Sequence, residues 1–275
     1  MTFDHAALFG EDHADPNQYA MHGLASGHVW CAISLGGPTA LRRKGDAAVP
    51  NEDALCMAEC GDRVLLAVAD GHFGHAASHD LIERIDLALE ARGDQPDPLP
   101  RSLDELYALI ESCAVAPDTA PPDASGAGHP VDRVSETTLV VAIFDRAARR
   151  VWGVSVGDSS AIAVGLDAGV RWLTTATRHY AAPSSPASLS REHFTAFEAS
   201  LAPGELLAVF TDGVNECEYG SPETSISARH FEALAIRVGR KAETFVEALA
   251  ELALAGVDGH PGGEDNIAVV AIRVT

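Results

Sequence analysis

Basic side chains are scarce in this chain: 19 Lys and Arg stand against 40 Asp and Glu over 275 residues, a formal charge of −21. Such a surface repels nucleic-acid phosphates and anionic lipid, so neither nucleic acid nor membrane is expected as a partner, and cations are expected to gather instead. Long apolar runs are missing too. No stretch approaches the roughly 20 residues that span a bilayer, and the opening MTFDHAALFG lacks the basic-then-apolar order of a secretory signal. Cysteine is sparse and odd in number: Cys31, Cys56, Cys60, Cys113 and Cys217 are scattered through a chain large enough to fold without disulfides. Reduced thiols and a cytoplasmic location are expected. Cys56 and Cys60 lack a second Cys or His pair at zinc-finger spacing, so they read as two small apolar side chains beside a turn.

What is present is apolar material for a large core. Nearly half of the residues are hydrophobic, which fits one domain over 1–275, with residues 1–25 as an N-terminal extension. Residues 28–35, 64–69, 138–144, 151–156, 160–164, 206–210 and 267–274 are short, rich in Val, Ile and Ala, and bounded by Gly, Asp or Asn. They are expected to be strands. Residues 165–169 read as a hairpin loop leading into a further strand at 170–173. Apolar residues three and four apart predict helices over 75–92, 101–115, 228–238 and 242–255, with Ser102 and Glu105 spaced as a capping box. Residues 93–100 and 116–131, dense in Pro, Gly and Asp, form surface connections around one helix in the region 93–131, and 181–190 forms another loop. Strands with helices inserted in pairs suggest sheet packed on sheet with helices outside, rather than alternating βαβ units.

Four acidic segments carry the chemistry. Asn51-Glu52-Asp53, Asp70-Gly71-His72, Asp212-Gly213 and Glu264-Asp265-Asn266 each place a carboxylate where an apolar run begins or ends. Distant carboxylates on strand ends can converge to hold hard divalent cations, which take oxygen ligands. Gly71 permits a sharp turn and close backbone approach, so that Asp70 and a glycine carbonyl can face one cation. Taken singly, each segment is also an ordinary Asp-Gly or Asp-Asn turn.

In order along the chain, NEDA at 51–54, VADGHFG at 68–74, ETTLVVAIFD at 136–145, WGVSVGDSSAIAV at 152–164, AVFTDGVNE at 208–216 and EDNIAVVAIRV at 264–274 resemble the motifs of the metal-dependent, type 2C (PPM-type) protein serine/threonine phosphatases. The resemblance implies an α+β, four-layer α/β/β/α sandwich of two antiparallel sheets flanked by helices, with a centre of two Mn²⁺ or Mg²⁺ ions at one end. It implies hydrolysis of phosphoserine or phosphothreonine in a phosphorylated protein substrate, in signalling. Asp70 resembles the bridging ligand and Gly71 a carbonyl donor. Asp212 and Asp265 resemble ligands of one ion and Glu52 of the other, with Asp53 holding its waters. Asp132 resembles a ligand of a third, weaker ion, and Asp158 a structural turn residue. A pair of cations lowers the pKa of a bridging water and offsets phosphoryl charge, so no protein nucleophile is needed. His72 resembles a histidine suited to protonating the departing oxygen, and the near-neutral reference pKa of imidazole suits a general acid.

The chain departs from the pattern at three places. Ala48 stands where the family commonly has a phosphate-gripping arginine, which leaves Arg42, Arg43 and Lys44 as substitutes from a neighbouring strand, Lys44 first. Glu136 replaces a glycine before the Thr pair. The usual Asp-His pair is missing from 174–180, within a flap-like region at 174–200, although His179 remains. A catalytically weakened phosphoprotein-binding or regulatory module on the same fold is therefore an alternative. A second alternative is a zinc hydrolase centred on His72, His75 and His79, although Ala76 stands where a metalloprotease needs its glutamate.

Overall fold

Alternating side chains that are apolar on both faces explain why the central strands read as continuous hydrophobic runs. In the computed structural model, which describes residues 2–44, 49–115, 135–165, 169–239 and 241–275, the chain begins β1 (Phe3–Phe9), β2 (Ala20–Gly23), β3 (Val29–Ser34), α1 (Pro38–Lys44), β4 (Asp53–Cys60) and β5 (Arg63–His72). It continues α2 (Ala76–Glu90), α3 (Leu103–Glu111), β6 (Glu136–Thr137), β7 (Leu139–Asp145), β8 (Arg150–Val156), β9 (Ser160–Gly165) and β10 (Gly169–Trp172). It ends β11 (Thr195–Ser200), β12 (Leu206–Phe210), α4 (Asp212–Asn215), α5 (Ala228–Arg237), α6 (Ala242–Ala255) and β13 (Ile267–Arg273). One sheet has the order β1-β4-β5-β7-β8-β11 with β6 paired to β5, and the other β10-β9-β12-β13-β3-β2. Every pairing is antiparallel.

The period of two sorts residues into layers. From β4 and β5, Leu55, Met57, Leu66 and Val68 face the second sheet and meet Cys31, Ile33, Val209 and Val270. Cys56, Ala58, Leu65 and Ala67 face the other way, under Leu81, Ile85 and Leu89 of α2 and Leu106 of α3. On the far side, Phe231 of α5 and Phe245 and Leu249 of α6 cover Phe210, Val269 and Ala271. The result is the expected α/β/β/α sandwich. Each fully buried Phe or Leu contributes about 1.5–3 kcal/mol relative to exposure, so the helical layers are held by their apolar stripes.

Several expectations change. Residues 1–25 hold β1 and β2, which are edge strands, and the flap-like region holds β11, another edge strand whose only buried side chain is Phe197. Cys56 lies in the middle of β4 and Cys60 at its end, both facing the helices rather than standing beside a turn as a pair. Arg42, Arg43 and Lys44 form the last turn of a helix, not part of a strand, and their charge there complements the helix dipole. Ser102 caps α3 by accepting from the Glu105 amide at 3.3 Å, but the Glu105 carboxylate takes the Arg101 amide instead of closing a capping box. Gly165 and Gly169 pair across the expected hairpin. Among the described residues, no helix is long and apolar enough to cross a membrane.

Candidate metal centre

Antiparallel pairing brings the start of one strand beside the end of the next, and this gathers the acidic segments at one end of the sandwich. Asp53 opens β4 directly opposite Asp70, near the end of β5. Asp212 opens α4 just past the end of β12, and Asp265 lies just before β13, the neighbour of β12. Glu52 precedes β4, and its amide donates to Asn266 Oδ1 at 2.9 Å, tying the two sheets together. Asn266 Nδ2 in turn donates to the carbonyls of Leu35 at 2.9 Å and Pro50 at 3.2 Å. Thr211 Oγ1 donates to Asp53 Oδ2 at 2.7 Å, a second tie between the sheets. Thr138 Oγ1 accepts from the Asp70 amide at 3.0 Å, and Thr137 Oγ1 donates to the Asp70 carbonyl at 2.9 Å.

Two glycines allow this crowding. A Cβ on Gly71 would sit 2.8 Å from the Gly74 carbonyl oxygen and 2.9 Å from that of Glu52, while one on Gly213 would sit 1.8 Å from the Asn266 oxygen. Both positions require hydrogen in place of a side chain.

The electrostatics are those of a cation nest. Burial pushes the Asp53 carboxyl well above its usual value, with Asp265 and Asp212 adding to the rise and the Thr211 hydroxyl and Lys44 opposing it. Asp70 is raised by burial and then by Asp53, Asp265 and Asp158. Asp212 is raised by burial and then by Asp70, Asp265 and Asp158. Like charges this close disfavour the ionised form unless a cation joins them. The ammonium of Lys44 is one such cation: it bonds Glu52 Oε2 and lies 3.4 Å from Asp265 Oδ1. Arg43 reaches the Glu264 carbonyl at 2.5 Å and Asp265 at 3.6 Å and stacks on Tyr219. Arg42 bonds Thr39.

Among the described residues, six carboxylates, Glu52, Asp53, Asp70, Asp158, Asp212 and Asp265, gather here, with Lys44 acting on Glu52, Asp53, Asp70 and Asp265 and Arg43 near Asp265. Asp53 Oδ1 and Asp158 Oδ1 are buried without a hydrogen-bond partner among the described residues. An all-oxygen donor set with orphaned carboxylate oxygens and excess negative charge suits Mg²⁺ or Mn²⁺. The residues present therefore fit such ions.

His72 ends β5, and its ligating nitrogen lies within 4.8 Å of carboxylate oxygens of both Asp70 and Asp158. Asp158, expected only as a turn residue, belongs to this corner. Glu136 pairs opposite His72 in the β5–β6 ladder, and the Tyr180 ring lies 4.5 Å from that of His72. Burial raises the Tyr180 hydroxyl pKa, with Asp158, Asp70, Asp212 and Glu136 adding to it. His179 packs on His193. The three histidines of the zinc alternative divide: His72 joins Asp70 and Asp158, while His75 and His79 join Glu11. Asp132 and Ala48 lie outside the described residues. Sequence reasoning missed Thr211, Asn266 and Tyr180, whose roles depend on partners remote in the chain.

The comparisons agree with this geometry. The family described as Stage II sporulation protein E (SpoIIE) matches residues 61–275. The match begins after Lys44, Glu52 and Asp53, so the structure supplies that part of the nest. Among solved structures, a bacterial serine phosphatase is similar with a TM-score of 0.62 at 18% identity, covering 90% of this chain and 97% of its own. The catalytic domain of the serine/threonine phosphatase PstP, in complex with two manganese ions, has a TM-score of 0.59 at 22% identity and covers 100% of both chains. The PPM Ser-Thr phosphatase MsPP from Mycobacterium smegmatis, in complex with cacodylate, has a TM-score of 0.57 at 20% identity, covering 95% and 100%. No curated protein matches in sequence. The chain has the fold of the PPM phosphatases, and by its match over residues 61–275 it belongs to the SpoIIE family.

Proposed function

We propose that the protein hydrolyses phosphoserine or phosphothreonine in proteins with the aid of two Mn²⁺ or Mg²⁺ ions, as one catalytic domain over 1–275. The observation that carries this reading is the convergence of Glu52, Asp70, Asp212 and Asp265, from four separate segments, on one end of the sandwich. When bound, such ions lower the pKa of a water and offset charge on the phosphoryl oxygens. The assignment of Asp70, Gly71, Asp212, Asp265 and Glu52 as their ligands rests on the oxygen-only donor set, and on Gly71 bringing main chain close where a side chain would not fit.

Other residues bind, orient or move protons. Thr211 holds one oxygen of Asp53 and leaves the other, buried and without a partner among the described residues, to order water beside the proposed ligands. His72 acts as general acid toward the departing Ser or Thr oxygen, and its buried Nδ1 has no hydrogen-bond partner among the described residues. Tyr180 covers the His72 ring and excludes water from that side. Lys44 and Arg43 supply phosphate binding. The Lys44 ammonium, held between Glu52 and Asp265, would pair with phosphoryl oxygens were those carboxylates engaged by an ion.

Hydrolysis of p-nitrophenyl phosphate and of a phosphoserine peptide, with Mn²⁺ or Mg²⁺ and with chelator, tests the proposal. Turnover should require metal and vanish in Asp70→Asn with the fold intact. A folded wild-type protein that turns over neither substrate with either ion overturns it. One observation favours a second reading, a phosphoprotein-binding regulatory module: Lys44 already fills part of the nest with the chain's own cation. Tight phosphopeptide binding without hydrolysis marks that reading.

A further inference from the structure

Beside the carboxylate nest lies a second cluster of a different chemical kind. Glu11, on the single turn after β1 (Gly10–Asp12), meets His75 and His79 at the start of α2, and one ligating atom from each lies within 4.8 Å of the others. The two imidazoles are one helical turn apart, with ring centroids 4.8 Å from each other.

The buried histidine shows which of its nitrogens is available. His79 is 8% exposed, and its Nε2 lies 3.2 Å from the Asp53 main-chain oxygen. A carbonyl only accepts, so Nε2 carries the proton and Nδ1 carries a lone pair. That Nδ1 is buried and has no hydrogen-bond partner among the described residues. A core histidine serving structure alone has both nitrogens satisfied, because a buried unpaired polar atom costs about 1–3 kcal/mol. Here one nitrogen is held by a carbonyl and the other presents an unused lone pair, the arrangement by which protein carbonyls orient histidine ligands. Burial also lowers the His79 pKa to about 4, with His75 adding to the fall and the main chain of Asp53 and Asn51 opposing it.

We propose that Glu11, His75 and His79 form a separate site for a borderline divalent transition ion, Zn²⁺ being the natural occupant, with water or Asp12 as fourth ligand. Two imidazoles and one carboxylate are a zinc donor set, whereas Mg²⁺ and Mn²⁺ prefer the oxygen nest nearby. A tetrahedral ion with bonds of roughly 2.0–2.1 Å needs donors about 3.4 Å apart. Glu11 is exposed and His75 half-buried, so both side chains are free to close that distance around His79. The positive end of α2 opposes a cation, and the Glu11 and Asp12 carboxylates offset it. Zinc would staple the segment after β1 to the first turn of α2. The same imidazole that ligates it would also hold the Asp53 main chain at the edge of the phosphatase nest.

Cobalt is the probe, because a four-coordinate Co²⁺ ion absorbs strongly in the visible and an octahedral oxygen-ligated one does not. With the nest saturated by excess Mg²⁺, the protein should bind one equivalent of Co²⁺ with such bands, and Zn²⁺ should displace it. His75→Ala and Glu11→Gln, which change residues outside the core, should each weaken Zn²⁺ binding by at least about 10–100-fold while circular dichroism stays unchanged. Asp70→Asn should retain the bands. Absence of any four-coordinate spectrum in the wild type, bands that survive both His75→Ala and Glu11→Gln, or bands lost in Asp70→Asn would each overturn the proposal. None of these measurements depends on phosphatase turnover.

Discussion

Asp53 and Asp70 stand directly opposite one another in the β4–β5 ladder, both buried, at 0% and 7% exposure. Like charges at directly opposed positions destabilise a sheet, so this pair costs stability when both carboxyls are ionised. Both carboxyls titrate well above the usual 3.8 in the fold, Asp53 through burial and then Asp265 and Asp212, Asp70 through burial and then Asp53 and Asp265. Between 3.8 and those raised values, the native state binds more protons than the unfolded chain. Metal-free stability therefore falls as pH rises through that window and recovers on acidification.

Asp70→Asn isolates this effect. In chelator at pH 7.5 the variant should be more stable than the wild type by roughly 1–3 kcal/mol, the range of most single substitutions, and the gap should shrink toward pH 4. With Mn²⁺ the order should reverse: an ion at 100 times its dissociation constant stabilises the wild type by about 2.7 kcal/mol, and Asn removes that gain. Urea melts across pH, with and without Mn²⁺, measure both. A wild type that gains metal-free stability steadily from pH 5 to 8 relative to the variant contradicts the assignment.

Lys44 is bonded to Glu52 and held near Asp265, and its charged form is favoured by Asp265, Glu52 and Asp70 against the cost of burial. A fixed ammonium on two ligand carboxylates competes with an incoming ion. Lys44→Met keeps most of the aliphatic length and removes the charge, so the apparent Mn²⁺ affinity should rise, by about tenfold for each 1.4 kcal/mol of competition relieved. The same change should raise KM for phosphopeptide, because the ammonium is also the proposed phosphate contact. Calorimetric Mn²⁺ titration and steady-state kinetics separate the two effects; unchanged Mn²⁺ affinity removes Lys44 from the nest.

His72 of β5 pairs opposite Glu136 of β6, and its ring packs against Tyr180. A general acid matters most where the leaving oxygen is a poor one. His72→Ala should slow phosphoserine peptide hydrolysis by about 10²-fold or more and p-nitrophenyl phosphate hydrolysis far less, since nitrophenolate departs without a proton. Equal losses on both substrates argue against proton donation.

How far the sequence revealed this architecture follows from burial. Strands covered on both faces, such as β5, β12 and β13, are continuous apolar runs and stand out. Edge strands β1, β2 and β11 are half-exposed and mixed in character, so nothing marks them. β4, DALCMAEC, is composed largely of residues that favour helices, and its place between β1 and β5 overrides that preference. In the site, the proposed ligand carboxylates were legible because each sits at the boundary of an apolar run. Asn266 was not, since its meaning lies in Glu52, 214 residues away. Glu11 was hidden in the same way, because its partners lie on α2.

Gly213 shows how closely the nest depends on backbone contact. It follows Asp212 in α4, and a Cβ there would fall 1.8 Å from the Asn266 carbonyl oxygen and 3.4 Å from the Asp265 side chain. A backbone oxygen cannot swing aside as the end of a flexible side chain can, so Gly213→Ala must push α4 away from the start of β13. That motion separates Asp212 from Asp265, the two proposed ligands of one ion, and strains the Asn266 bridge to Glu52. Overpacking of this kind costs about 1–3 kcal/mol. The loss should be larger with Mn²⁺ than without it, because the metal-bound state alone needs both carboxylates in register. Gly74→Ala provides the comparison: its φ is +114° but a Cβ there meets nothing within 4 Å, so its backbone strain should cost stability equally with and without Mn²⁺. Thermal melts of both variants with and without Mn²⁺ check this, and an equal loss for Gly213→Ala under the two conditions would remove Asp212 and Asp265 from a shared ion.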